Sequence, residues 1–116
     1  MEVIEKKNIP AKIFDSGEAK GIEARVLIGK ANGARNFVMR LFEIAPGGFT
    51  PRHSHPWEHE IFVHSGKGAV LENGSWVNLS PGTAIFIPPD EEHQLKNTGD
   101  EPFVIVCLIP SGYPEL

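Results

Sequence analysis

Along most of this chain, apolar and polar residues alternate in short runs, and the three-to-four-residue spacing of an amphipathic helix is hard to find. Period-two alternation rich in Val, Ile and Phe predicts strands at Ala24–Ile28, Asn36–Ile44, Glu58–His64, Ala69–Glu72, Ser75–Asn78, Thr83–Ile87, His93–Asn97 and Phe103–Ile109. Turn formers separate them: Pro46-Gly47-Gly48, Gly66-Lys67-Gly68, Pro81-Gly82, Pro88-Pro89-Asp90 and Thr98-Gly99-Asp100. The sharpest local signal is Asn73-Gly74, which supplies the two positive-φ positions of a type I′ turn and predicts a tight hairpin. Breaks this frequent leave no room for the dozen-residue crossovers of a parallel sheet. The expectation is an all-β, antiparallel fold, closed or doubled into a jelly-roll barrel so that few strand edges are exposed. Residues 1 to about 21 carry the weakest pattern, and read as an extra edge strand or as an arm that packs on a second subunit.

Composition changes this picture little. At 116 residues the chain is sized for one core and reads as a single domain, 1–116. A net charge of -4 with no run of lysines or arginines argues against nucleic acid as a partner. The first residues lack the apolar centre of a signal peptide, and no apolar run is long enough to span a bilayer. Cys107 is the single cysteine, so no intrachain disulfide forms, and a reducing cytoplasm is the default compartment.

The candidate chemistry lies in the histidines. His53, His55 and His59 share parity, so along an extended chain they face one side, while His64 faces the other. Imidazoles crowded on an inward face cost desolvation free energy unless their lone pairs are satisfied, and a bound cation does this. His93, downstream, is available as a fourth ligand. Ligand softness alone admits zinc, copper, iron or nickel.

Two longer motifs add a family frame. Gly47-x5-His53-x-His55-x3-His59-x6-Gly66 resembles the first cupin motif, with histidine where glutamate is usual. Gly82-x5-Pro88-x-Asp90-x2-His93-x3-Asn97 resembles the second, with Asp90 where glycine is usual. Glu60 is the rival carboxylate ligand, but the six-residue gap to Gly66 counts correctly only from His59, and parity sends Glu60 outward. The resemblance implies a cupin double-stranded β-helix with a four-histidine site. Asn36–Phe42, His53–Val63 and Cys107–Pro110 look especially like a manganese cupin of hyperthermophilic bacteria. It therefore implies manganese first, with iron as the close rival, and a homodimer.

Parity nominates the surroundings of the site. Ile61, Leu95, Ile105, Cys107 and Ile109 are expected to line a pocket, with Thr50 at its rim and Trp57 beside the ligands. Cys107 reads either as a residue behind the metal or as a small buried hydrophobe. Arg40 interrupts an apolar strand, and reads as a pocket cation steering a carboxylate, as an exposed residue or as a dimer contact. An apolar wall with no inward carboxylate or glycine-rich phosphate cradle argues for a small, fairly apolar organic substrate and against a sugar phosphate. The expected activity is that of a metal-dependent oxidoreductase of dioxygenase type. A metal-dependent isomerase or lyase and a non-catalytic small-molecule or metal-binding module are the alternatives.

Overall fold

A computed structural model describes all residues, 1–116. Nine strands follow in order: β1 (Lys12–Phe14), β2 (Lys20–Ile28), β3 (Phe37–Phe49), β4 (His59–Ser65), β5 (Gly68–Glu72), β6 (Ser75–Leu79), β7 (Ala84–Ile87), β8 (Leu95–Asn97) and β9 (Phe103–Pro110). All pairings are antiparallel. One wall runs β1-β2-β3-β9-β4-β7 and the other β6-β5-β8, and the far end of β3 joins them where Phe49 pairs with Lys96. The result is a sheet curled into a half-barrel of jelly-roll type, as the turn spacing predicts. No helix is long and apolar enough to cross a membrane.

The alternation seen in sequence becomes the inside and outside of this sheet. On β4, His59, Ile61 and Val63 are buried while Glu60, Phe62 and His64 are exposed. On β9, Phe103, Ile105, Cys107 and Ile109 are all at most 2% exposed. With Val38, Ile44, Val63 and Leu95 they form the core, each large aliphatic contributing about 1.5–3 kcal/mol by leaving water. The Asn73-Gly74 turn has φ of 48° and 78°, both positive as the type I′ geometry requires. Gly68 is needed for a different reason: a Cβ there would lie 2.4 Å from the Phe103 ring.

Two expectations change, and of the two readings of the N-terminal segment the structure shows the edge strand. Pro46-Gly47-Gly48 does not end the third strand. β3 continues to Phe49, with Gly47 at φ 79°, and the register against β2 slips between Lys20 and Ile22. The glycines make a bulge in a continuous strand, and only glycine fits at position 48, where a Cβ would lie 2.6 Å from the Lys20 carbonyl oxygen. The strand expected to begin at His93 begins at Leu95, because His93 is held in an isolated bridge to His53. The N-terminal segment supplies an edge strand, β1, and its earlier residues lie on this chain's own sheet. Lys6 pairs with Glu43, and Arg25 Nε donates to the Ile9 carbonyl on the outer face of β2 and β3.

Asn97 closes the interior at the end of β8. Its buried amide donates to the carbonyls of Ile44 and Glu101 at 2.9 and 2.7 Å, and its oxygen accepts from the Gly99 N–H at 2.7 Å. These bonds tie β3, β8 and the β8–β9 turn together.

Candidate metal centre

Two loops and one strand bring the four histidines together. His53 and His93 face each other across an antiparallel bridge, exchanging N–H···O bonds of 3.1 and 2.9 Å. The His55 carbonyl accepts from the Asp90 N–H at 2.8 Å, fixing the first ligand loop to the second. Asp90 adopts φ 66°, the left-handed region that explains why glycine is usual at this motif position. Aspartate is among the few other residues that tolerate it. His59 opens β4 and points inward, as its parity predicts.

The donor atoms of His53, His55 and His93 lie within 4.8 Å of one another. The His59 ring sits beside them, its centroid 4.4 Å from that of His55 and 5.0 Å from that of His93. Its Nε2 is 2.6 Å from His55 Nε2, a hydrogen bond between the rings. Glu60 faces the opposite side of the sheet and is exposed.

Hydrogen bonds set the protonation of these rings. His55 Nδ1 lies 2.8 Å from the Trp57 carbonyl and His93 Nδ1 2.9 Å from that of Glu91. A carbonyl only accepts, so each Nδ1 carries the proton and each Nε2 keeps its lone pair toward the centre. Such carbonyl partners are the usual support of metal-ligating histidines. Burial is the main reason the His53 pKa falls from 6.5 to about 4, with the charges of His93, His55 and Arg40 adding to it. Burial likewise lowers the His55 pKa, opposed by the bond to Trp57. At His59, burial and then the Arg40 charge push the value to about 2. The imidazoles are thus held neutral, the state that binds metal. With His53 and His55 held neutral, His55 and His93 oriented by carbonyls, and the donor atoms of all three convergent, His53, His55 and His93 can hold a divalent transition metal.

Behind His59 lies a buried polar group. Arg40 Nη2 donates to Cys107 Sγ at 2.9 Å and lies 3.3 Å from His59 Nδ1. His59 Nδ1 is in turn 3.0 Å from Cys107 Sγ. Burial raises the Cys107 pKa while Arg40 acts against it. On the other side, Trp57 stacks on His55 at 4.3 Å and Tyr113 stacks on Trp57 at 4.6 Å, so the segment after β9 buttresses the first ligand loop.

A cavity of about 180 Å³ opens beside the histidines. Arg40, Thr50, Ile61, Leu95, Ile105 and Cys107 line it, along with His53, His59 and His93. Thr50 is also structural: its Oγ1 accepts from the Leu95 N–H at 2.9 Å, pinning the rim to β8. Ile109 does not line the cavity. It has the expected inward parity, but it lies one inward position beyond Cys107 along β9, paired with Val38, and is spent on the core. The lining residues that sequence reasoning missed are Phe14, Ala19, Ile22, Phe42, Pro51 and Leu116. Phe14 and Leu116 come from opposite ends of the chain, and no local pattern marks them as neighbours.

The Cupin domain family matches residues 40–109, which include all four histidines and most of the barrel. The chain belongs to the cupin family. Over its whole length this cupin is similar to the polyketide cyclase RemF from Streptomyces resistomycificus: 34% identity and a TM-score of 0.90, covering 98% of this chain and 82% of the cyclase. The tetracenomycin polyketide synthase protein TcmJ of Streptomyces glaucescens is 28% identical over 100 residues, 85% of this cupin and 67% of TcmJ. The glucose-6-phosphate isomerase of Thermococcus onnurineus is 35% identical over 71 residues, 54% of this chain. The match spans only 38% of that isomerase's length.

Proposed function

We propose that this cupin is a metal-dependent oxidoreductase of dioxygenase type, in which His53, His55, His59 and His93 hold a divalent ion, manganese first and iron next. The observation that carries this reading is the convergence of neutral imidazoles on a cavity whose lining includes no acidic side chain. When bound, the ion supplies Lewis acidity and, for a redox-active metal, electrons for dioxygen chemistry. The chain's own residues orient the ligands through the Trp57 and Glu91 carbonyls, and His59 joins the set once its Nε2 is released from His55. The apolar wall of Ile61, Leu95 and Ile105 receives a small organic molecule and excludes water from it. No acidic side chain lines the cavity to serve as the carboxylate base of a sugar isomerisation. A Lewis-acid reaction without oxygen is the second reading, favoured by the whole-chain likeness to a polyketide cyclase.

The test is oxygen uptake by purified, manganese- or iron-loaded protein with acetylacetone, a small enolisable diketone, run aerobically and anaerobically. Metal-dependent uptake that is lost in His93→Ala supports the first reading. Turnover equal with and without oxygen, retained with zinc, supports the second. Metal bound without turnover leaves a binding module. Elemental analysis of Glu60→Ala and His59→Ala bears on the ligand set. Metal lost from Glu60→Ala but kept in His59→Ala would replace His59 by Glu60.

The outer face of β9, β4 and β7 presents Val106, Leu108, Phe62, Ala84 and Phe86 around Glu60, with Phe62 and Phe86 exposed. This apolar surface supports a homodimer through that face.

A further inference from the structure

Arg40 is a buried cation without an acidic partner. It sits on the inward face of β3 opposite Cys107 and is 7% exposed. Its Nη2 is used by Cys107, its Nη1 reaches the Glu115 carbonyl only at 3.4 Å, and its Nε has no partner. The chain's ion pairs lie elsewhere, at Lys6–Glu43, Lys7–Glu5, Arg25–Glu43 and Arg52–Glu92. The Glu115 carboxylate, the nearest in sequence to that carbonyl, accepts instead from the Lys30 N–H at 2.8 Å. The Phe42 ring, 4.9 Å from the guanidinium carbon, offsets part of the charge. An isolated buried charge is among the more costly features a fold can keep. Here it lines the same cavity as the histidines, where no acidic side chain answers it.

We propose that Arg40 anchors the carboxylate of the substrate, so that the cavity takes a small apolar monocarboxylic acid. This rests on reading the cavity as the substrate site. A guanidinium presents a planar set of donors that matches a carboxylate. Phe14, Ile22 and Leu116 offer an apolar surface for the rest of the molecule. A phosphate ester is a poorer fit, because one arginine without a nest of backbone N–H groups leaves its further oxygens unanswered. The carboxylate would take over from the long Glu115 contact, on the side of the His59 ring away from its Nε2.

The probe pair is benzoate and its neutral isostere benzamide, titrated calorimetrically into the full chain as purified and after chelator treatment. Chelated protein isolates Arg40 from any direct binding of benzoate to metal, so this result stands whether or not the oxidoreductase reading survives. The expected result is at least about tenfold tighter binding of benzoate than of benzamide. Arg40→Met is expected to abolish that preference while still taking benzamide, and Arg40→Lys to keep part of it. Ligand-free Arg40→Met is expected to melt no lower than the native protein, since an unanswered charge has been replaced by an apolar chain of similar reach. Equal affinity for the two probes in the native chain, or a preference that survives Arg40→Met, would overturn the proposal. So would thiolate absorbance of the native protein that disappears in Arg40→Met, because Cys107 would then be the counter-ion. If Arg40→Met does not fold, the Arg40→Lys ratio and the native benzoate preference decide. Oxygen uptake with acetylacetone but no benzoate preference would sink this inference and leave the proposed activity standing.

Discussion

The depressed pKa of His59 has a measurable consequence for stability. In the unfolded chain its imidazole titrates near the ordinary 6.5, whereas in the fold it titrates at about 2. Above 6.5 both states are neutral and the group has no effect on folding. As the pH falls below that value, the unfolded chain takes up a proton that the folded chain refuses, so stability is lost progressively down to about 2. Between about pH 7 and about pH 5.5 the loss from this single residue is about 1 kcal/mol. In a chain of 116 residues that corresponds to about 4 °C in Tm. His53 acts in the same direction through a smaller shift, discounted because the residue, although partly desolvated, is still open to water on one side. The assay is thermal melting of chelator-treated protein at the two pH values, comparing native with His59→Gln. The glutamine keeps a polar side chain but cannot titrate. Every other titratable group is present in both proteins, so the difference between the two pH losses isolates His59. The variant should lose about 4 °C less than the native protein. An equal loss in both would show that His59 is not held neutral by its surroundings, and the argument for a preformed, proton-resistant ligand would fail.

Other consequences follow from the packing. Asn97→Ala leaves the Ile44 carbonyl, the Glu101 carbonyl and the Gly99 N–H without their partner, and should cost about 2–3 kcal/mol by urea titration. Gly68→Ala drives a Cβ into the Phe103 ring and should cost about 1–3 kcal/mol; pairing it with Phe103→Leu should cost less than the sum of the two single changes. Phe62→Glu with Phe86→Glu should convert a dimer into a monomer in sedimentation velocity without altering metal content. A native protein that is monomeric at high concentration would refute that interface.

Much of this molecule was legible because strand parity is a local property. The inward set of β4 and β9, the outward Glu60 and His64, and the Asn73-Gly74 turn all follow from period two and from residues beside them in sequence. The limits of the same reasoning show at Pro46-Gly47-Gly48. Glycine permits both a turn and a bulge, and only the pairing with β2 on one side and β8 on the other selects the bulge. Ile109 shows the complementary error. Parity says which face a side chain occupies but not how far along the barrel it sits, and Ile109 is inward yet lies in the core beyond the cavity.

The positions of most strands and the inward face of His59 are written in the chain, because alternation and turn chemistry act over a few residues. Whether Arg40 meets an acid, and which chain ends close the cavity, depends on contacts across dozens of residues. The Arg40 guanidinium comes to the Glu115 carbonyl across 75 positions and to the Cys107 thiol across 67. Phe14 and Leu116, far apart in sequence, line the same cavity. Local periodicity carries no record of such meetings. They arise when the curled sheet buries one shared interior, and it is there that a row of histidines becomes a site with a cation and an apolar wall.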